Sequence, residues 1–457
     1  MTTVGEPLVA SVDPPAPVQR TTRTRTLRPT RATWPLWGLT AGMPAMFLLG
    51  FHGLIWPLVG VVLLIRVLTS RKTVFPWSTV PLVIFVLWTP LSMSATKFSS
   101  LPVFVYRWSL FAGCLAILVW IVNLDEKTLP TSRITDWMAA LWITTIAFGY
   151  IAQLAPHLDT PSLTSILLGP VGKISFVARI SDYHLADINE FLTSSYARPA
   201  APWSAANSWG AAVGILTPFF VQSWLVEAKG RRRTIGIVLL LASALPIILS
   251  ANRGLWIALG FSMVYFAARK SLRGKFGALA VMLVMVAMVA VALVVTPAGQ
   301  LVMNRINGST DSNTARSELY VDAWKGALDS PLVGNGVPRP TNYYKNSPPV
   351  GTHGLIWYLM FIHGFVGMFL FLGWLGTEVV RSGKVRSTSA WWPHLALVIS
   401  AVEVPYYGLL PHVMLMGVAA GVAHREARHA TGMRSRALAD APDPVPVPTP
   451  TPAPAPA

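Results

Sequence analysis

Two kinds of side chain in this sequence are equipped for chemistry: one histidine, and a set of arginines placed where apolar runs begin or end. His353 opens a membrane-length apolar run, with Gly364 and Gly367 three apart deeper within it. Imidazole exchanges its proton near neutrality, so a histidine at a membrane boundary is a candidate proton-transfer group. Arg253 lies in Ala251-Asn252-Arg253-Gly254, squeezed between the apolar stretches Leu239 to Ser250 and Leu255 to Phe266. No acidic residue lies within ten positions of it. A guanidinium at that height is costly without an anionic partner, and its planar fork suits two phosphate oxygens at once. Arg198, in Ala197-Arg198-Pro199 just ahead of the apolar run that contains Asn207, has the same character. Arg316 opens a helical stretch of a long polar segment, where a cation opposes the helix dipole, and Arg107 stands near the end of another apolar run. Each has a plain alternative: snorkelling to headgroups for Arg253 and Arg107, an ion pair with Asp311 or Glu318 for Arg316. His157, His394 and His424 read as ordinary hydrogen-bonding histidines.

The elements that must carry these residues follow from composition. Hydrophobic residues make up 53% of 457 and charged residues 12%, with a mean hydropathy of +0.52, which excludes a soluble domain. The apolar runs have helix-spanning length, roughly 17 to 25 residues, so the fold class is all-α, a polytopic transmembrane helical bundle. Twelve spans are expected, near 34–50, 52–69, 78–95, 103–123, 135–155, 204–226, 234–251, 254–268, 276–296, 353–375, 391–405 and 407–424. Pro44 and Pro57 interrupt the first two, which could form one re-entrant pair. The net charge of +17 gathers in clusters at alternate ends of the runs, a positive-inside pattern that argues against nucleic acid and places both termini in the cytoplasm. The single cysteine, Cys114, lies in an apolar run, so neither an intrachain disulfide nor a cysteine metal site is available.

Residues 1–33 read as a disordered basic cytoplasmic tail attracted to anionic lipids, 34–428 as the membrane domain, and 429–457 as a disordered Pro/Ala-rich tail. Two long segments fall on the outer side, about 156–203 and 297–352. In the first, Leu163 to Leu168 is apolar and a short helix is expected from Asp182 to Leu192. In the second, Thr314 to Leu328 has helical spacing, with Arg316, Tyr320, Ala323 and Ala327 on one face. Gly334-Asn335-Gly336 then turns the chain. Outer-side cations oppose the positive-inside bias, and Arg107, Arg198, Arg253, Arg305, Arg316 and Lys345 are among them. On a helix that begins near His353, positions 357, 360, 364 and 367 share its face, so Gly364 and Gly367 are expected as a stripe that admits a neighbouring helix. Glu403, inside the eleventh expected span, is expected to pair with a nearby histidine or Tyr406.

These residues together resemble the O-antigen ligase and Wzy-type polymerase superfamily of integral-membrane glycosyltransferases. The ligase signature is His, then Asn, Ser or Gln, nine residues, then Gly-x-x-Gly, after a large periplasmic loop. Here His353 is followed at that spacing by Gly364-Phe365-Val366-Gly367, with Gly354 in place of the polar residue. Arg316 to Trp324 followed by Pro331 to Gly336, Ser250 to Gly254, and Arg198 with Asn207 are similar to the family's other landmarks. The resemblance implies inverting, metal-independent transfer, with no cofactor, of a glycan from an undecaprenyl-diphosphate donor to an acceptor hydroxyl of a glycan, lipid or protein at the outer face of the plasma membrane. It implies His353 as general base, Arg253 and Arg316 with Arg198 on the diphosphate, and Arg107 as a further contact. A polymerase that extends lipid-linked chains would use the same parts. A transporter or flippase of anionic lipid-linked substrates would also want outward arginines, but no internal repeat is visible. A glycosyltransferase with an external catalytic carboxylate would have Asp311, Asp322 and Asp329 available, but their context does not suggest one.

Overall fold

The computed structural model describes residues 29–188, 197–274, 310–340, 349–385 and 387–439, with isolated positions between 276 and 287. The basic arm before residue 29, most of the expected span 276–296, Arg305, Lys345 and the Pro/Ala-rich end lie outside the described residues.

The chain is mostly helical. Six helices are long and apolar enough to cross a membrane: Trp77–Ala95, Phe98–Asn123, Thr131–Leu154, Ala206–Val226, Gly230–Leu249 and Leu355–Gly383. Each coincides with an expected span. The first expected span is instead two short helices, α1 (Trp34–Leu39) and α2 (Met43–Leu48), each with proline in its first turn, where the missing N–H costs nothing. Then follow α3 (Ile55–Thr69), α4 (Val80–Trp88), α5 (Leu101–Asn123) and α6 (Thr131–Leu154). Helix α5 lies at the centre, with α3 on one side and the last helix on another, and Cys114 is fully buried within it.

The segment after α6 begins with strand β1 (Asp159–Thr160) and holds two short helices, α7 (Leu163–Leu167) and α8 (Ser175–Ser181). The helix expected from Asp182 does not form over 183–188. Strand β2 (Tyr183–His184) pairs with β1, and β3 (Ala186–Ile188) pairs with β4 (Ala197–Pro199), setting Asp187 opposite Arg198. Opposite charges across a strand pair favour the hairpin. Asp187 also bonds beyond it, accepting from His184 Nε2 (2.8 Å) and from the Ala206 amide (2.7 Å), contacts that no local periodicity reports.

Helix α9 (Ala206–Phe220) begins at that amide, followed by α10 (Gly230–Leu249) and α11 (Arg253–Ser271). The polar-segment helix α12 runs Thr310–Asp329, one turn earlier than expected, so Arg316 sits in its second turn and the dipole argument for it no longer applies. Helices α13 (Leu355–Gly383), α14 (Thr388–Glu403) and α15 (Val413–Ala439) complete the fold. Short α14 packs against α9, α11, α13 and α15, and the turn after it meets the starts of α11 and α13, beside Arg253 and His353.

At the other end of the bundle, basic residues are pinned by acids. Arg381 and His424 meet Glu378 (2.8 and 3.1 Å), Arg425 meets Glu126 (3.2 Å), and Arg232 meets Asp136 (2.9 Å).

Candidate functional site

The Gly-x-x-Gly segment works differently from a packing stripe. Gly364 has φ 71° and ψ 179°, and α13 breaks there. A Cβ at Gly364 would stand 2.5 Å from the Leu332 carbonyl oxygen. The break frees carbonyls that the polar segment uses: the Asn335 amide donates to Phe361 (2.9 Å), the Gly336 amide to Ile362 (3.0 Å), and the Phe365 amide to Pro331 (2.8 Å). Asn335 Nδ2 donates to Gly326 and Phe361 (2.8 and 3.1 Å), which ties α12 to the same notch. Gly367 stands over the His363 side chain, whose Cβ would lie 2.5 Å from a Cβ at 367. The two glycines therefore admit a loop and a side chain, not a neighbouring helix.

His353 precedes α13, half-buried. Thr352 Oγ1 donates to the Pro349 carbonyl (2.7 Å), so toward His353 Nδ1 (3.2 Å) it acts as acceptor. Nδ1 therefore carries the hydrogen and Nε2 keeps its lone pair. Among the described residues no hydrogen bond engages Nε2. Burial, helped by the positive charge of Arg316, lowers the His353 pKa to about 4, so the ring is neutral at physiological pH.

The backbone around His353 runs along the turn after α14: the Ile356 amide donates to Val404 (3.3 Å), and a Cβ at Gly354 would lie 2.3 Å from the Pro405 oxygen. Gly354 has φ 80° and ψ 132°, outside what a side-chain-bearing residue adopts comfortably. The departure from the ligase signature at this position thus has a steric cause. Gly354→Asn, which restores the signature, is expected to cost about 1–3 kcal/mol in thermal unfolding and to lower activity; equal stability would refute that steric account.

From this turn the contacts lead to the other arginines. The Tyr407 hydroxyl lies 2.8 Å from where a Gly254 Cβ would be, beside Arg253 at the start of α11. Arg198, nearly fully buried, donates from Nε to the Ser250 carbonyl (2.7 Å) and from Nη2 to Asn252 Oδ1 (2.7 Å) and Asn207 Oδ1 (3.1 Å). The charges of Arg198 and Arg316 both reach Tyr407. The charge of Arg316 thus reaches both His353 and Tyr407, and Tyr407 stands beside the turn that Arg198 holds and Arg253 follows. Arg107 lies over the Tyr358 ring, at 5.7 Å from its centroid.

Residues 237–377 match the O-antigen ligase family model. The matched O-antigen ligase segment includes Arg253, Arg316, His353, Gly364 and Gly367, and leaves Arg107 and Arg198 outside. It supports the superfamily resemblance drawn from the motifs, and with it a membrane protein with a ligase- or polymerase-like role in glycan transfer, acting on lipid-linked glycans and acceptors. A search of curated proteins finds no match.

Sequence reasoning missed Tyr407, because it counted that residue into a span from 407; the helix begins at Val413. Pro405 and Gly408, which bracket the tyrosines, were the available turn signal. Glu403 is also not paired as expected: it is fully buried, its carboxyl oxygens make no hydrogen bond among the described residues, and Oε1 faces Gly214 of α9.

Proposed function

We propose that this protein is an O-antigen ligase-like glycosyltransferase that moves a glycan from undecaprenyl diphosphate to an acceptor hydroxyl at the outer face of the bacterial plasma membrane. The observation that carries this reading is His353: neutral, with the Nε2 lone pair available, beside Arg316 and one turn of backbone from the start of Arg253's helix. His353 Nε2 takes the acceptor's proton as the acceptor oxygen bonds to the anomeric carbon. The bond from that carbon to the diphosphate oxygen breaks, and the pair of electrons leaves with undecaprenyl diphosphate. Arg253 and Arg316 offset the charge that develops there. Arg198, whose guanidinium holds Ser250, Asn252 and Asn207, sets the turn that presents Arg253. The positive-inside pattern supports the outward orientation and cytoplasmic termini. In the family's inverting chemistry the base and the leaving group act on opposite faces of the sugar, a separation suited to His353 and Arg253 on different elements.

The test is transfer by purified protein from a polyprenyl-diphosphate glycan to cell-envelope acceptor. Arg253→Ala is expected to slow transfer by about 10²–10³-fold, the usual loss when one donor to a developing anion is removed. Arg253→Lys should recover only part, since an ammonium cannot supply the fork. Undiminished transfer by the alanine variant would sink the assignment. A product that is a lengthened lipid-linked chain would identify a polymerase instead.

A further inference from the structure

His184 stands between two carboxylates. Its Nε2 lies 2.8 Å from Asp187 Oδ1 in β3, and its Nδ1 lies 3.5 Å from Asp159 Oδ2 in β1. A neutral imidazole donates from one nitrogen only, so its other lone pair would face an acid; the imidazolium donates to both. Asp182, which adjoins β2, is turned elsewhere and accepts from the Ser162 amide (3.3 Å). The hydrogen bond to Asp187, with the charges of both acids, raises the His184 pKa above the ordinary 6.5 against the effect of partial burial.

Asp187 uses both of its oxygens. Oδ1 accepts from His184 and Oδ2 accepts from the Ala206 amide (2.7 Å) at the start of α9, while across the strand pair the residue faces Arg198. Burial pushes its carboxyl up, but those two hydrogen bonds and the charges of His184 and Arg198 outweigh it and hold the carboxyl below its usual range. One residue after Ala206, Asn207 accepts from Arg198, whose other bonds hold Ser250 and Asn252 just ahead of Arg253. A carboxylate free to turn at 187 would release the Ala206 amide and the charge opposite Arg198 together. The bond from His184 fixes that rotation. Beneath these contacts Leu185 and Ala186 are buried with Phe47, Ala152 and Ala201, an apolar seat that holds the strands when the polar contacts are altered.

We infer that His184 and Asp187 are positioning residues for the transfer: bonded together, they hold Arg198 in register with the start of α9 and so fix the turn that presents Arg253. This rests on the proposed transfer reaction and adds a condition to it, that transfer is fast only while His184 carries its proton. The folded protein binds that proton more tightly than the unfolded chain does. The stabilisation is therefore complete below pH 6.5 and is lost as the pH rises through the higher folded-state value. On the acid side it lasts until Asp187 takes a proton, below the usual carboxylate range.

The experiment follows kcat/KM for transfer, and thermal unfolding, over about pH 5 to 9, where histidine titrates. It compares purified full-length wild type, His184→Gln and Asp187→Asn in detergent. Wild type should lose rate and unfolding temperature together on the alkaline side of 6.5. His184→Gln keeps a donor but does not titrate. It should be about 10-fold slower near neutral pH, between the contributions of an exposed and a buried pair, and should show neither alkaline decline. Asp187→Asn, which keeps an acceptor for Ala206 but no charge for His184, should match it. A wild-type rate with no alkaline limb would overturn the inference without any variant. A limb that persists in His184→Gln, or wild-type transfer by that variant at neutral pH, would overturn it too. So would a lowered unfolding temperature with the wild-type pH profile of transfer retained, the mark of a merely structural pair. Wild type that transfers at no pH, yet still loses unfolding temperature on the alkaline side, would instead defeat the transfer reading beneath the inference.

Discussion

His353→Gln is expected to reduce transfer by about 10²–10⁴-fold, the usual contribution of a positioned general base. Glutamine matches the imidazole approximately in size and polarity but accepts no proton at physiological pH. The alanine variant gives the complementary result: added imidazole should restore part of the rate by occupying the vacated space. The wild-type pH profile is a sharper measure. Burial and Arg316 both disfavour the imidazolium, so lowering the pH from 7 leaves Nε2 able to accept a proton well past the ordinary histidine value. The acidic limb of kcat/KM should fall through about 4, where an unperturbed histidine would place it near 6.5. Removing a cation that lowers the pKa must raise it, so Arg316→Gln should move the limb toward neutrality. The move is partial because burial, the larger cause, remains. A wild-type limb at 6.5, or one indifferent to Arg316→Gln, would show that His353 is not the base in this environment.

How much of this was written in the sequence varies with the range of the interactions. Hydropathy is local, so the six long apolar helices were legible. The spacing from His353 to Gly364 and Gly367 was legible too, and so was the boundary placement of Arg253. What periodicity could not show is where the period stops. The face shared by 353, 357, 360, 364 and 367 assumes one unbroken helix, but the backbone at Gly364 resets the phase. The strands at 183–188 were hidden for a related reason: they are held by Arg198 and Ala206, beyond any local window. Tyr407 was hidden by its apolar surroundings, since Val404 to Leu410 reads as readily as helix as it does as turn.

The break at Gly364 sets up the second large effect. Gly364→Ala should abolish transfer and lower the unfolding temperature sharply. A positive φ with ψ near 180° is territory for glycine alone, at a cost of about 1–3 kcal/mol for another residue. The new methyl would also stand 2.5 Å from the Leu332 oxygen, a backbone atom that cannot swing aside. The strain is relieved only if α13 straightens or residues 331–336 withdraw. Straightening would close the Phe361 and Ile362 carbonyls within the helix and expel the amides of Asn335 and Gly336. Asn335 also holds Gly326, so α12 would loosen and carry Arg316 away from His353. Gly373→Ala makes the control. It lies in the same helix, where alanine is favoured over glycine by roughly 0.5–1 kcal/mol, and a Cβ there meets nothing within 4 Å. The expected order is a severe loss for Gly364→Ala and none for Gly373→Ala, read by thermal unfolding in detergent beside transfer. Equal effects would mean that the break at Gly364 is not what joins the arginine helix to the histidine.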